Sequence, residues 1–179
     1  MKKVTVHLKT VLKHKKEVFK LMSKVGMPIQ GLLHDMSKFT PIEFMESIKY
    51  ATGTKSPLEV SREVNGYSAA WLHHKGHNKH HWEYWMDRFL DGGYGCMMPY
   101  RYAVEMVCDM IAASTVYKGK DYTSSCPLEY FKSKNFKRCM HPNTYKFLDI
   151  VFTEYKSFGE DVLNKKNLQE IYSTVCKKD

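Results

Sequence analysis

The first 25 residues carry one seam that limits what this chain can become. Val4, Val11, Val18 and Val25 recur every seven residues, with Leu8, Leu12, Phe19 and Met22 beside them. Such spacing predicts a helix over 3–25 with one inward face. The same seam holds His7 and His14. An imidazole on an inward face must find a partner, either a hydrogen bond or an ion. A chain that opens this way needs further helices to close over a partly polar core.

The rest of the sequence supplies them. Gly26 and Pro28 stop the first helix, and a short second one follows with Ile29, Leu32 and Leu33. Thr40-Pro41-Ile42-Glu43 reads as a helix start in which Thr40 caps and Glu43 completes a capping box. Ser56-Pro57-Leu58-Glu59 repeats that signal. Helices are expected over 41–51, 57–64, 66–75, 80–90 and 99–118. Two or three more fall between 127 and 176, the last capped by Asn167 with Glu170 three residues on. Turns are expected at 91–95 and 118–125. With no strand pattern, repeat or linker, the expected fold is all-α, a single domain over 1–179. Its core is expected in 1–118, with accessory helices in 119–179.

Composition narrows the class. The 179 residues are 43% hydrophobic and 26% charged, which suits a packed globular chain. A formal net charge of +9 favours anionic partners such as nucleotides, nucleic acid or phosphate esters. Five cysteines without a CxxC pair argue against a disulfide framework or a cysteine zinc site, and a reducing cytoplasm is the expected setting. No apolar run approaches the roughly 18 residues of a membrane span. Met-Lys-Lys-Val-Thr-Val-His has no apolar block behind its lysines, so no signal peptide is expected.

Chemistry gathers at four places. His34-Asp35 follows Leu32-Leu33 and offers a nitrogen and an oxygen to a divalent ion at the end of an apolar helix. His7 and His14 precede it on the first seam. Five of the nine histidines then fall between His73 and His81, flanked by Trp71, Trp82 and Trp85. Gly76 and Asn78 suggest a break that aims two short helices at one point. Finally, Tyr102, Met106, Asp109, Ala113 and Val116 form one stripe on the helix over 99–118, and only Asp109 in it is charged. A carboxylate facing a core is costly unless it is paired or bound to metal. Glu105, one turn earlier, can orient a ligand from behind. The plainer alternatives are hydrogen-bonded core histidines, a histidine-rich surface, and a salt bridge at Asp109.

The order His, His-Asp, histidine cluster, Asp resembles the HD superfamily of metal-dependent phosphohydrolases. Gly31-Leu-Leu-His-Asp-Met-Ser-Lys-Phe, the stretch His74 to His81, and Glu105-Met-Val-Cys-Asp109 are similar to an uncharacterised HD-like family found in bacteria and phages. The resemblance covers residues 4–118. It implies an all-α bundle around a metal site, with His7, His34, Asp35, His74, His81 and Asp109 as ligands. His7 is preferred over His14 because 27 residues to His34 suit one long helix and a turn. It implies one or two divalent ions (Mn, Fe, Co, Ni or Zn) and a small phosphorylated substrate, a nucleotide first. Asp35, Lys38 and His80 are the expected catalytic residues: Asp35 bridges metals or holds water, Lys38 meets phosphate, and His80 serves as a general acid. Two other readings stay open. One is a dinuclear iron oxygenase of the HD type. The other is a non-catalytic binder of nucleotides or nucleic acid, which the scarcity of arginine and the lack of a nucleic-acid motif disfavour.

Overall fold

The long first helix is the post around which the rest is arranged. In the computed structural model, which describes residues 2–52, 55–87 and 95–176, it is α1 (Lys2–Lys24). Then follow α2 (Pro28–Leu33), α3 (Pro41–Tyr50), α4 (Pro57–Asn65) and α5 (Ala69–His77). After them come α6 (Tyr100–Lys118), α7 (Cys126–Ser133), α8 (Pro142–Phe158) and α9 (Lys165–Val175). Short 3-10 turns join several of them, and the described residues contain no strand. The fold is all-α. All six prolines stand at a helix start, where the missing N–H costs nothing. Among the described residues no helix is long and apolar enough to cross a membrane.

Val18, Leu21 and Met22 of α1, with Val25 just after it, meet Val104, Val107 and Ile111 of α6 in one apolar cluster. Phe131 of α7, Phe147, Val151 and Phe152 of α8, and Leu168 of α9 complete it. The helices after residue 119 therefore build the core and are not merely packed against it. Gly31 fixes the approach of α2 to α1. A Cβ there would meet the Met22 Cβ at 2.6 Å, so only glycine lets the two backbones come this close. Lys15 of α1 then donates to the Leu32 and His34 carbonyls at the end of α2, satisfying helix-end acceptors. Leu32 and Leu33 themselves point outward, each 62% exposed, so the helix before His34 is not the buried one the sequence suggests.

Several local expectations change. Neither Thr40 nor Ser56 caps with its side chain; the Thr40 hydroxyl donates to the Ser37 carbonyl instead. The helix expected at 66 starts at Ala69, because Gly66 is left-handed (φ 78°) and Ser68 provides the cap, accepting from the Trp71 N–H. The helix expected over 80–90 is a 3-10 turn, Trp82–Trp85, with residues 88–90 outside the described part. Most of the turn expected at 91–95 also lies outside it. Asn164, not Asn167, caps α9: its Oδ1 accepts from the Asn167 N–H at 2.9 Å.

Candidate metal centre

Asp35 lies between α2 and a 3-10 turn, Met36–Phe39, in a left-handed conformation (φ 55°, ψ 31°). No other non-glycine residue among those described has positive φ. Aspartate tolerates this region better than most side chains, but the conformation is still uncommon and marks a constrained position. The turn leaves both His34 and Asp35 buried, 1% and 2% exposed, at the level of α1 and α6.

Two ligand groups meet at Asp35. On one side stand His14 of α1, His34, and Asp109 of α6. His34 Nε2 is 3.3 Å from Asp35 Oδ2 and 3.5 Å from Asp109 Oδ1. His14 Nε2 is 3.0 Å from Asp109 Oδ1, without the alignment of a hydrogen bond. On the other side stand His74 of α5 and His80 and His81 of the following turn. His74 Nε2 and His80 Nε2 each lie 3.3 Å from Asp35 Oδ1. One carboxylate thus turns an oxygen to each group. Within each group the candidate donor atoms lie within 4.8 Å of one another, so each could hold a metal ion.

Two carboxylates stand behind the imidazoles. Glu105 Oε1 accepts from His34 Nδ1 at 2.9 Å, and His80 Nδ1 lies 3.3 Å from the same oxygen. Glu43 Oε2 accepts from His74 Nδ1 at 2.7 Å, and its Oε1 from His73 Nδ1 at 2.6 Å. Ionised carboxylates only accept, so the Nδ1 atoms carry the protons and the Nε2 atoms are aimed at the centre. This is how outer carboxylates orient metal-binding histidines. The group His34, His80 and Glu105 is accordingly a support and not a third ion site.

The donor set also suits a cation. The Nε2 atoms of His14, His34, His80 and His81, and Oδ1 of Asp35, are buried with no hydrogen-bond partner. Such atoms are rare in a settled interior, and here five converge on one region. Four carboxylates (Asp35, Glu43, Glu105, Asp109) stand among these imidazoles, while the nearby ammonium groups are Lys38, 2.5 Å from Asp35 Oδ2, and Lys15, which also feels the Asp35 charge. Burial opposes charge on His34, but Asp35, Asp109 and Glu105 outweigh it and raise its pKa well above the ordinary value. Burial likewise opposes charge on Asp35, yet His34, Lys38 and His74 hold it well below the usual carboxylate range. Against its own burial, Glu105 is drawn down to about 2 by His34 and His80. His81 is pushed well below its ordinary value by burial, with His80 and His74 beside it, and so offers a neutral imidazole. The region demands positive charge that a divalent cation on these nitrogens would satisfy.

A model of a family of unknown function (DUF5662) matches residues 3–154. The chain belongs to this family. The span shared with DUF5662 takes in both ligand groups and both outer carboxylates and stops within α8. No curated protein and no solved structure matches the chain.

Of the residues singled out in the sequence, His34, Asp35, His74, His80, His81 and Asp109 all meet at the centre, with Lys38 on its rim. His7 does not. It packs edge-on against Phe44, ring centroids 5.8 Å apart, and His14 stands beside Asp109 in its place. Seven helical residues separate the two, about 10 Å along the axis, and α6 crosses at the level of His14. His80 also differs from the expected proton donor. Its Nε2 faces Asp35 and its Nδ1 faces Glu105, so neither nitrogen is left for a leaving group. Glu43 was legible only as a capping residue; the His73-His74 pair it serves lies thirty residues away.

A cavity of about 520 Å³ opens from the centre on the Asp109 and Lys38 side. That is the size of a small-molecule site. Trp71, Tyr117 and Tyr130 line its walls, and His7 forms part of them. Arg62 stands at the wall with its guanidinium 5.3 Å from the Trp71 ring, and Trp71 packs in turn against His81.

Proposed function

We propose that the protein is a metal-dependent phosphohydrolase of the HD type, acting on a nucleotide or a related small phosphate ester. One observation carries this reading: Asp35 offers an oxygen to each of two histidine groups at the floor of a cavity with cationic and aromatic walls. The order His14, His34-Asp35, Asp109 supports the HD assignment, with the first ligand moved from His7. One or two ions of Mn, Fe, Co, Ni or Zn fit imidazole and carboxylate donors. When bound, such an ion supplies hydroxide near neutral pH and offsets charge on a phosphoryl oxygen.

The chain's own residues do the positioning. Lys38 faces the cavity, and despite burial the Asp35 and Asp109 carboxylates raise its pKa above the ordinary lysine value. It stays charged and is placed to take a phosphoryl oxygen as a point charge. Glu43 and Glu105 fix the ring planes of His74, His34 and His80, so ligand geometry does not depend on substrate. Trp71, with Arg62 5.3 Å from its ring centroid and His74 stacked at 5.8 Å, gives the wall an aromatic and cationic surface beside which a base can sit. A cytoplasmic setting belongs to the same proposal and is supported by five free cysteines.

The deciding experiment is elemental analysis of the purified protein, followed by a screen of nucleotides and phosphate esters with each of the five metals. The expected result is a bound transition ion and metal-dependent phosphate release. Absence of product with every metal, together with oxygen consumption by iron-loaded protein, would assign the dinuclear iron oxygenase instead. Nucleotide binding without turnover that survives Asp35→Asn would assign a binder. Asp109→Asn keeps the side-chain size but removes an anionic ligand. Metal occupancy and turnover should fall sharply while the chelated protein loses little stability. Normal occupancy with a large stability loss would make Asp109 a structural ion-pair residue.

A further inference from the structure

A second groove, about 490 Å³, lies behind the centre. Asp35 is the one lining residue it shares with the substrate cavity. Two cations converge on its wall. The Arg101 guanidinium, at the start of α6, is 5.0 Å from the Tyr102 ring centroid. The Lys79 ammonium, in the turn after α5, is 5.8 Å from the same ring. Neither has a carboxylate partner among the described residues. Two like charges on one ring beside a concave surface repel each other, and no ion pair of the described residues holds either of them.

Arg101 is also held in place. Its Nε donates to Gln30 Oε1 at 3.1 Å, while Gln30 Nε2 donates to the Arg101 carbonyl and to Glu105 Oε2. One edge of the guanidinium is anchored and its terminal amino groups remain for a ligand. The Glu105 carboxylate at the floor is buried and turned to His34 and Gln30, so it makes no contact with either cation.

We propose that this groove is a second anion site, distinct from the substrate cavity, that takes a small phosphate-bearing molecule between Arg101 and Lys79. The fork of an anchored arginine suits two oxygens of one phosphate, and the lysine meets a third as a point charge. The site stands whether or not the protein turns over a substrate, so its test is one of binding.

The tryptophans separate the two cavities. The Trp85 indole N–H donates to the Lys79 carbonyl at 2.8 Å, and its ring lies 5.7 Å from that of Tyr102. Trp71 and Trp82 line the substrate cavity. Inorganic phosphate, titrated at constant ionic strength into the full chain labelled on the indole nitrogens, should move the Trp85 signal along a saturating curve. The double variant Lys79→Ala, Arg101→Gln should weaken that response about tenfold or more, from the loss of charge-assisted bonds. Its Trp71 and Trp82 signals should stay where they are, which certifies the fold. Lys79→Gln alone, at an exposed side chain, repeats the test with a loss of about threefold from a single charge. A Trp85 signal that ignores phosphate, or responds equally in these variants, overturns the proposal. A short single-stranded oligonucleotide that moves Trp85 where phosphate does not would also overturn it, in favour of a nucleic-acid face.

Discussion

Up to His81 the interior of the molecule is mostly polar, whereas from Met98 onward it is mostly apolar. His14, His34, Asp35, Glu43, His74 and His80 are buried in the first region, while Leu12, Ile29, Leu32, Leu33, Met36 and Met45 are more than half exposed. In the second region Phe131, Phe147, Leu148, Phe152 and Leu168 are fully buried, and Glu105 and Thr144 are the buried polar residues among those described. The apolar region draws stability from burial, at about 25 cal/mol per Å², under any solution conditions that keep water the solvent. The polar region holds imidazole nitrogens and carboxylates that hydrogen bonds satisfy in part and that a cation would satisfy further. On the proposed reading, one region is stable by composition and the other by what it would bind.

The largest effect is expected at Phe152, 0% exposed in the shared cluster. Phe152→Ala should cost about 3–5 kcal/mol in denaturant unfolding and leave the metal content of the folded fraction unchanged. A fall in metal content would show that the two regions are not separable. Next, a chelator should remove about 3–4 kcal/mol if the ion is held at a hundred to a thousand times its Kd. Hydrogen exchange should then quicken in α1, α2 and the turn at 78–81 ahead of α8 and α9. Uniform quickening would erase the distinction. Glu105→Gln takes the anionic acceptor from His34 and His80 together, and metal affinity should drop about 10–100-fold; unchanged affinity would reduce Glu105 to a packing residue.

The smallest effect lies at the seam between the regions, where Glu160 bonds Lys20 at 2.8 Å and Lys24 at 3.4 Å on α1. The Lys20 hydrogen bond leads in lowering the Glu160 pKa, against some burial. Because the folded value is the lower one, the stabilisation is present above the unfolded carboxylate value and is lost as pH falls through the folded value. The pair is partly exposed and screened, so a few tenths of a kcal/mol are expected. Melting curves of Glu160→Gln and the parent should differ at pH 7 and merge in acid. A constant gap across that range would remove the ion pair as the cause.

Periodicity made α1 and α6 legible, because an inward stripe repeats every 3.6 residues whatever packs against it. It could not choose between His7 and His14, which share one face of α1. Their difference is axial, set by where Gly31 admits α2 and where α6 crosses. The run from His80 to Trp85 has helical-looking aromatic spacing, yet Asn78 ends α5 there, its side chain bonding the His74 carbonyl and the Ser37 hydroxyl. Glu43 shows the same limit from another side. A carboxylate three residues into a helix is locally a cap, and only the folded chain brings His73 and His74 to it.

The candidate ligands of the first group come from α1, the turn after α2, and α6, and this separation bears on how the protein is made. Asp109 follows His14 by roughly 95 residues, and a ribosome adding about 5–20 residues each second delivers it several seconds after the first imidazole. Until then the emerging segment carries histidines and exposed leucines without the carboxylate that completes the set. α6 in turn rests on side chains of α8 and α9, which appear later still. On the proposed reading, ion capture at that group would be a late event of biosynthesis, and a truncated or stalled chain would expose a sticky fragment with unpaired imidazoles to its surroundings.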